Sequence, residues 1–341
     1  MPDPKTFKTR NGIVGGVLAL ITVLIVVLTG WKGLLVELAL LLFLLIGTAF
    51  YLEYFVLNAN AKGGLKKILG LGQKDDPVHD SVKVPVERIE KESEIWEMTT
   101  ADGLHLKARF LKQKQETHRY MIICHGYCNH RLQDVSRQAL DFYARGVHVF
   151  LPYARGHGLS EGDHIGMGWE ERKDIVSWIH RILQYDEKAE IGLFGVSMGG
   201  ATVMMTAGET LPENVRFVIE DCGYTSVYDE FLEEIKVGMG LPPYPLIWIC
   251  DAIHFLKYGY GYKKASSVNQ LKKAKVPILM IHGEEDRFVP YEMLQTIYDS
   301  YAGIKRRESF PEAAHVGSFR KAPERYWALM EEWMNQWFQR E

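Results

Sequence analysis

The sequence predicts an α/β fold. Its mostly parallel sheet carries helices on both faces, receives an inserted helical cap and follows a transmembrane helical hairpin. Three observations lead there. Short apolar runs ending in glycine or turn residues alternate with helical stretches from about residue 93 onward. One interval within that region breaks the rhythm, and two longer apolar runs stand in front of it.

Composition sets the bounds. With 341 residues, 47% hydrophobic and 24% charged, the chain suits a packed domain with an apolar addition and excludes a disordered or low-complexity protein. A formal net charge of -3, with no dense Lys/Arg stripe interleaved with aromatics, argues against a nucleic-acid partner. Cys124, Cys128, Cys222 and Cys250 are scattered through a large domain, so no disulfide framework is expected.

The apolar runs are residues 13–29 and 34–57, joined by the short "GWKG". At about 1.5 Å per helical residue the second crosses a hydrocarbon core of about 30 Å easily, and the first is near the lower limit. Trp31, Tyr51 and Tyr54 suit the interface, and Glu37 and Glu53 lie near span ends, where a carboxylate costs least. A cleaved signal peptide is the alternative for the first run, but no A-x-A-like site follows it. Lys5, Lys8 and Arg10 precede the hairpin and Lys62, Lys66, Lys67 and Lys74 follow it, against a lone Lys32 between the runs. Both ends, and the large domain with them, are therefore expected on the cytoplasmic side. If the first run fails to cross, the domain lies on the extracellular face. Residues 61–92 are polar with two prolines and read as a linker, which divides the chain into an anchor (1–60), this linker and a domain (93–341).

In that domain "EIWEMTTADGLHLKARFL" alternates apolar and polar residues around Asp102 and Gly103, the pattern of a hairpin. Buried parallel strands are expected at 120–126, 147–153, 189–195, 216–223, 276–283 and 306–310. Helices are expected near 132–144, 169–184, 198–210, 291–302 and 322–339. The last of these aligns Tyr326, Met330, Trp333, Met334 and Trp337 on one core-facing side. The interval 224–275 is too long for a connection and contains the apolar, proline-broken "GMGLPPYPLIWICDAIHFLKYGYGY", so it reads as the cap.

The chemistry gathers at strand ends. In "LFGVSMGGA" Ser197 follows a strand and opens a helix, flanked by Gly195 and Gly199, which tolerate a tight turn that lifts the serine above the sheet. A serine hydroxyl needs a histidine base oriented by a carboxylate. "MIHGEEDRFVP" supplies Asp286 and "SFPEAAHVGSF" supplies His315, both in loops after strands and in the order Ser, Asp, His. Glu284, Glu285 and Asp221 are the rival acids. An oxyanion needs two donors, and the amides of Met198 and of Tyr127 in "HGY" are placed to provide them, with His125 and Gly126 shaping that loop. Arg155 and His157 are expected to hold the loops behind. "CHGYCNH" gathers Cys124, His125, Cys128 and His130, but matches no zinc spacing, so no metal is expected.

The hairpin entry with "HGY", "RGHGLSEG", "GVSMGG", "GEEDRFVP" and "AAHVGS" resembles the α/β-hydrolase fold family. More narrowly, "DCGYTSVYDEF" and the membrane segments resemble bacterial membrane-anchored hydrolases of the cell-surface type. The resemblance runs from about residue 93 to the end and departs at the front, where two apolar runs replace a single anchor. It implies a Ser197, Asp286, His315 triad and an oxyanion hole at Tyr127 and Met198; because the chain itself supplies nucleophile, base and oxyanion donors, no cofactor is expected. The expected activity is a serine hydrolase on small, possibly lipid-like carboxylic esters, with Trp248 and Phe255 of the cap as candidate pocket residues. A prolyl-oligopeptidase-like peptidase, a thioesterase or a non-catalytic membrane scaffold are the alternatives.

Overall fold

A computed structural model describes residues 30–59 and 78–339, together with Thr22, Val23 and Val27. The chain divides into two compact units, Met1–Val56 with Phe231–Gly261, and Leu57–Glu230 with Tyr262–Glu341.

The larger unit is built on one eight-stranded sheet of order β1-β2-β4-β3-β5-β6-β7-β8. β1 (Glu94–Thr99) and β2 (His105–Leu111) pair antiparallel from Glu94 opposite Phe110 to Thr99 opposite His105, and Gly103 takes the turn with φ +88°. β2 also pairs antiparallel with β4 (His148–Pro152). Every remaining pairing is parallel and joins β4, β3 (Arg119–Cys124), β5 (Glu190–Val196), β6 (Val215–Asp221), β7 (Ile278–Gly283) and β8 (Lys305–Phe310). Parallel strands covered on both faces require near-continuous apolar runs, which is why β3 to β7 were legible as strands, whereas β8, the polar "KRRESF", is a partly exposed edge strand rather than a buried one.

One face packs Met121, Ile123, Phe194, Val196, Phe217 and Ile219 against Ala139 and Phe142 of α3 (Ser136–Ala144) and against α11 (Pro323–Trp337), which follows α9 (Glu292–Ser300) and α10 (Ser318–Lys321) in the chain. In α11, Tyr326, Met330, Trp333 and Met334 are buried, and Trp337 packs against the same cluster. On the other face Phe150 meets Trp178 of α4 (Glu171–Tyr185) at 5.1 Å between ring centroids. Beside α4 lies α5 (Met198–Ala207), which is buried along its whole length and contacts β3, β5 and β6.

Topology positions the site. β3 lies between β4 and β5, so the chain crosses from one side of β3 to the other as it passes from β4 to β5. The loops leaving β3 and β5 diverge there, and such a switch point opens a crevice outside the carboxyl ends of the strands.

Two stretches differ from expectation. The second half of 61–92 is helical, α2 (Val78–Glu92), with Pro85, Val86 and Ile89 buried at helical spacing. Its polar composition and internal proline, which removes one helical donor, concealed it. The interval 224–275 contains α6 (Val227–Glu233), a π-helical turn at Glu234–Gly238, α7 (Leu246–Tyr258) and α8 (Ser267–Leu271). Its two ends are stitched into the larger unit: Val227 N donates to Ala265 O at 2.9 Å, and Ser226 bridges to Ser266. The part that separates is therefore the shorter Phe231–Gly261.

The smaller unit combines that segment with α1 (Trp31–Leu57), a 27-residue apolar helix whose leucines and phenylalanines are largely exposed. It is long and apolar enough to cross a membrane. Its two carboxylates are buried and partnered: Thr22 Oγ1 donates to Glu37 Oε1 at 2.8 Å, and His254 Nδ1 lies 2.7 Å from Glu53 Oε1. Apart from Thr22, Val23 and Val27, the first apolar run lies outside the described residues, and the predicted hairpin with it.

Candidate active site

Ser197 stands between β5 and α5 with φ +55° and ψ -121°, a left-handed conformation that a serine rarely adopts. Close approach on both sides makes the turn possible. A Cβ on Gly195 would collide with the carbonyl of Gly199, and one on Gly199 with the carbonyl of Cys124. The turn is pinned by Ser197 N donating to Asp221 O at 2.9 Å. Tight elbows of this kind are what force a nucleophile clear of the sheet.

His315 reaches the serine from the loop after β8. Its Nε2 lies 2.9 Å from Ser197 Oγ, and its Nδ1 lies 2.7 Å from Asp286 Oδ2. A carboxylate only accepts, so Nδ1 carries the proton and Nε2 offers its lone pair to the serine hydroxyl. The other oxygen of Asp286 accepts from the amides of Phe288 and Val289, each at 3.0 Å. Burial pushes the Asp286 carboxyl up, but the charge and hydrogen bonds of His315 and His282 outweigh it and hold the group at about 2. It is ionised at any working pH.

The rival acids lie elsewhere. Glu284 and Glu285 are exposed, and Glu284 is engaged by Ser309 Oγ at 2.6 Å. Asp221 is buried, accepts from Tyr326 Oη at 2.9 Å, and is pushed up to about 6 by burial.

Across the crevice, Gly126 lies beside Ser197: a Cβ there would sit 3.5 Å from Ser197 Cβ. Its amide is held by Asp134 Oδ2 at 2.6 Å. His125 cannot serve as a base in this arrangement. Its Nε2 already accepts from Ala154 N at 3.1 Å, and its Nδ1 donates to Gly126 O at 2.8 Å. The ring therefore fastens the "HGY" loop to the loop after β4. His157 repeats the device, accepting from Cys128 N at 3.1 Å, and Arg155 pairs with both oxygens of Asp174 at 2.7 and 2.9 Å. Tyr127 follows as a buried residue. Met198 opens α5, where the first amides have no intrahelical acceptor.

A family described as "Serine aminopeptidase, S33" matches residues 115–220. The esterase Pf2001 of Pyrococcus furiosus superposes with a TM-score of 0.60 over 74% of this chain and 93% of that one, at 21% identity. An acylaminoacyl peptidase of Pyrococcus horikoshii gives 0.54 over 73% of this chain and 42% of that one, at 19% identity. YqkD of Bacillus subtilis (strain 168) is 26% identical over 221 residues, 64% of this chain and 72% of that one. The chain has the α/β-hydrolase fold.

Within that fold the structure brings Ser197, His315 and Asp286 into one hydrogen-bonded series. Three neighbours were not singled out from sequence. Phe288 sets its ring 4.9 Å from that of His315. His282 lies 3.4 Å from Asp286 Oδ2 and gives its Nε2 proton to Val289 O at 3.0 Å. Cys222 brings its sulfur within 4.8 Å of ligand atoms of Asp286 and His315. Burial raises its thiol well above the ordinary value, and Asp286 and His315 are already bonded to each other. Such a protonated, self-satisfied group suits proton transfer better than metal ligation. Trp248 and Phe255, expected to line a pocket, are 57% and 58% exposed. α7 turns Leu246, Ile247, Cys250, Ile253 and His254 inward, and these two aromatics fall on the opposite stripe.

Proposed function

We propose that the chain is a membrane-anchored serine hydrolase that cleaves carboxylic esters through an acyl-enzyme. The observation that carries this reading is the continuous series from Ser197 Oγ through His315 to Asp286, at 2.9 and 2.7 Å, on a turn that strains the serine backbone. As Oγ attacks the ester carbonyl carbon, His315 Nε2 takes the hydroxyl proton and the carbonyl π pair moves to oxygen. The amides of Met198 and Tyr127 receive that oxyanion. Collapse expels the alcohol, which leaves with the proton from His315, and the acyl group stays on Ser197. Water then repeats the sequence, releasing the acid and restoring the serine.

A peptidase is the second reading, favoured by the "Serine aminopeptidase, S33" match and the acylaminoacyl peptidase neighbour. The same residues serve both, since only the leaving group differs. Comparing aryl esters, thioesters and aminoacyl anilides on the purified full-length chain separates them. Ester hydrolysis with a pre-steady-state burst is expected; turnover confined to anilides would replace the ester reading by the peptidase one. A scaffold reading requires that none turns over.

For location, we take α1 as the anchor, supported by its length and its exposed apolar surface. The positive charges flanking the two apolar runs favour a cytoplasmic domain. Digestion of that domain by protease added outside intact cells would reverse this assignment.

A further inference from the structure

The outward stripe of α7 is unlike that of a surface helix. Surface helices turn charge outward, yet the exposed positions here are Trp248, Ala252, Phe255 and Leu256, with Lys257 as the one exposed charge at the last turn and the exposed Tyr244 just ahead of the helix. Leu256 is 84% exposed. The inward stripe of the same helix meets α1. His254 Nδ1 lies 2.7 Å from Glu53 Oε1, with both side chains buried, and Cys250 Sγ approaches Ala49 O at 3.9 Å.

Those contacts fix a depth. The 27 residues of α1 extend about 40 Å, roughly 10 Å more than a hydrocarbon core. Ala49 and Glu53 fall within the last two to three turns, the stretch that passes from hydrocarbon into headgroups. A helix bound there stands at the membrane surface. Its outward aromatics are of the type that settles at that level, a carboxylate so placed is expected to be paired as Glu53 is, and exposed Lys257 suits phosphate headgroups.

We infer that α7 is a lipid-contacting helix whose Trp248, Phe255 and Leu256 insert into the interface of the same bilayer that α1 spans. The inference rests on the reading of α1 as the anchor. It assigns these residues to contact with phospholipid.

The test reconstitutes the full-length chain in phosphatidylcholine–phosphatidylglycerol vesicles containing a phospholipid with a diazirine in its acyl chain, followed by irradiation and peptide mapping. Adducts are expected in Trp31–Leu57 and on Trp248, Phe255 or Leu256, and not on Tyr185 or Ile304, exposed apolar residues of the larger unit. Leu256→Glu, at a largely exposed position, should lower the α7 adducts at least five-fold without changing fluorophosphonate labelling. Adducts confined to Trp31–Leu57 overturn the inference, whether a protein partner or a second copy covers α7 instead. Adducts in neither helix overturn it together with the anchor. Loss of fluorophosphonate labelling with intact α7 adducts strikes the hydrolase reading and leaves this one standing.

Discussion

α5 and α7 are both apolar helices, and the fold puts them to opposite uses. Every residue of α5, Met198–Ala207, is buried, and the helix packs against β3, β5 and β6 directly after Ser197. α7, Leu246–Tyr258, buries one stripe and leaves Trp248, Phe255 and Leu256 outside. Apolar composition alone does not separate them. What separates them is what each meets: α5 lies at a switch point where two strands part, and α7 lies against a helix that is itself largely exposed. In this chain precise geometry belongs to the sheet, whereas the inserted segment contributes surface.

The largest effect is expected from removing the Ser197 hydroxyl. Ser197→Ala should lower ester turnover by at least about 10⁴-fold with thermal stability unchanged, as read by steady-state kinetics beside a melting curve. Next come the two buried aspartates. Asp286→Asn should reduce kcat by about 10⁴-fold, because the amide cannot accept the Nδ1 proton of His315 in the same way. Asp221→Asn, which meets Tyr326 instead, should cost less than about ten-fold. Equal losses at both would show that the acid has been misassigned.

A smaller effect, on folding, is expected at the elbow. Gly199→Ala drives a methyl into the Cys124 carbonyl and should destabilise by about 2–4 kcal/mol, measured by urea unfolding. An apolar-to-polar change at Leu256, facing outward from α7, should stay within about 0.5 kcal/mol by the same assay. A further effect on stability concerns pH. Burial lifts Glu220 from 4.5 to about 8, opposed by the His282 charge and the Gly223 amide, so across that window the folded chain binds more protons than the unfolded one. Stability should therefore fall as pH rises from about 4.5 to about 8. Glu220→Gln should flatten that slope, seen as a smaller spread in Tm between pH 5 and pH 8.

Much of the larger unit was legible because its signals are local. Glycine-terminated apolar runs mark strands, and "GVSMGG" carries its own steric logic in Gly195 and Gly199. Asp286 and His315 were legible through their order and their place after strands. Strand order was not, since which run lies beside which is decided by long-range packing. His282, Phe288 and Cys222 were missed for a related reason: nothing in "MIHGEEDRF" or "EDCG" distinguishes a residue that supports Asp286 from an ordinary core residue. The α2 helix was hidden by polar composition, and its only cue, Pro85, Val86 and Ile89 at helical spacing, is short. For α7 the sequence revealed an apolar segment but not its direction, so Trp248 and Phe255 read as pocket lining when they face outward.

The most direct test of the central claim is covalent. The full-length chain is treated with a fluorophosphonate and the adduct is mapped by peptide mass spectrometry. A single phosphonyl adduct on Ser197, lost in His315→Ala, is the result predicted; an adduct on another residue, or none on a folded wild-type chain, would contradict the account.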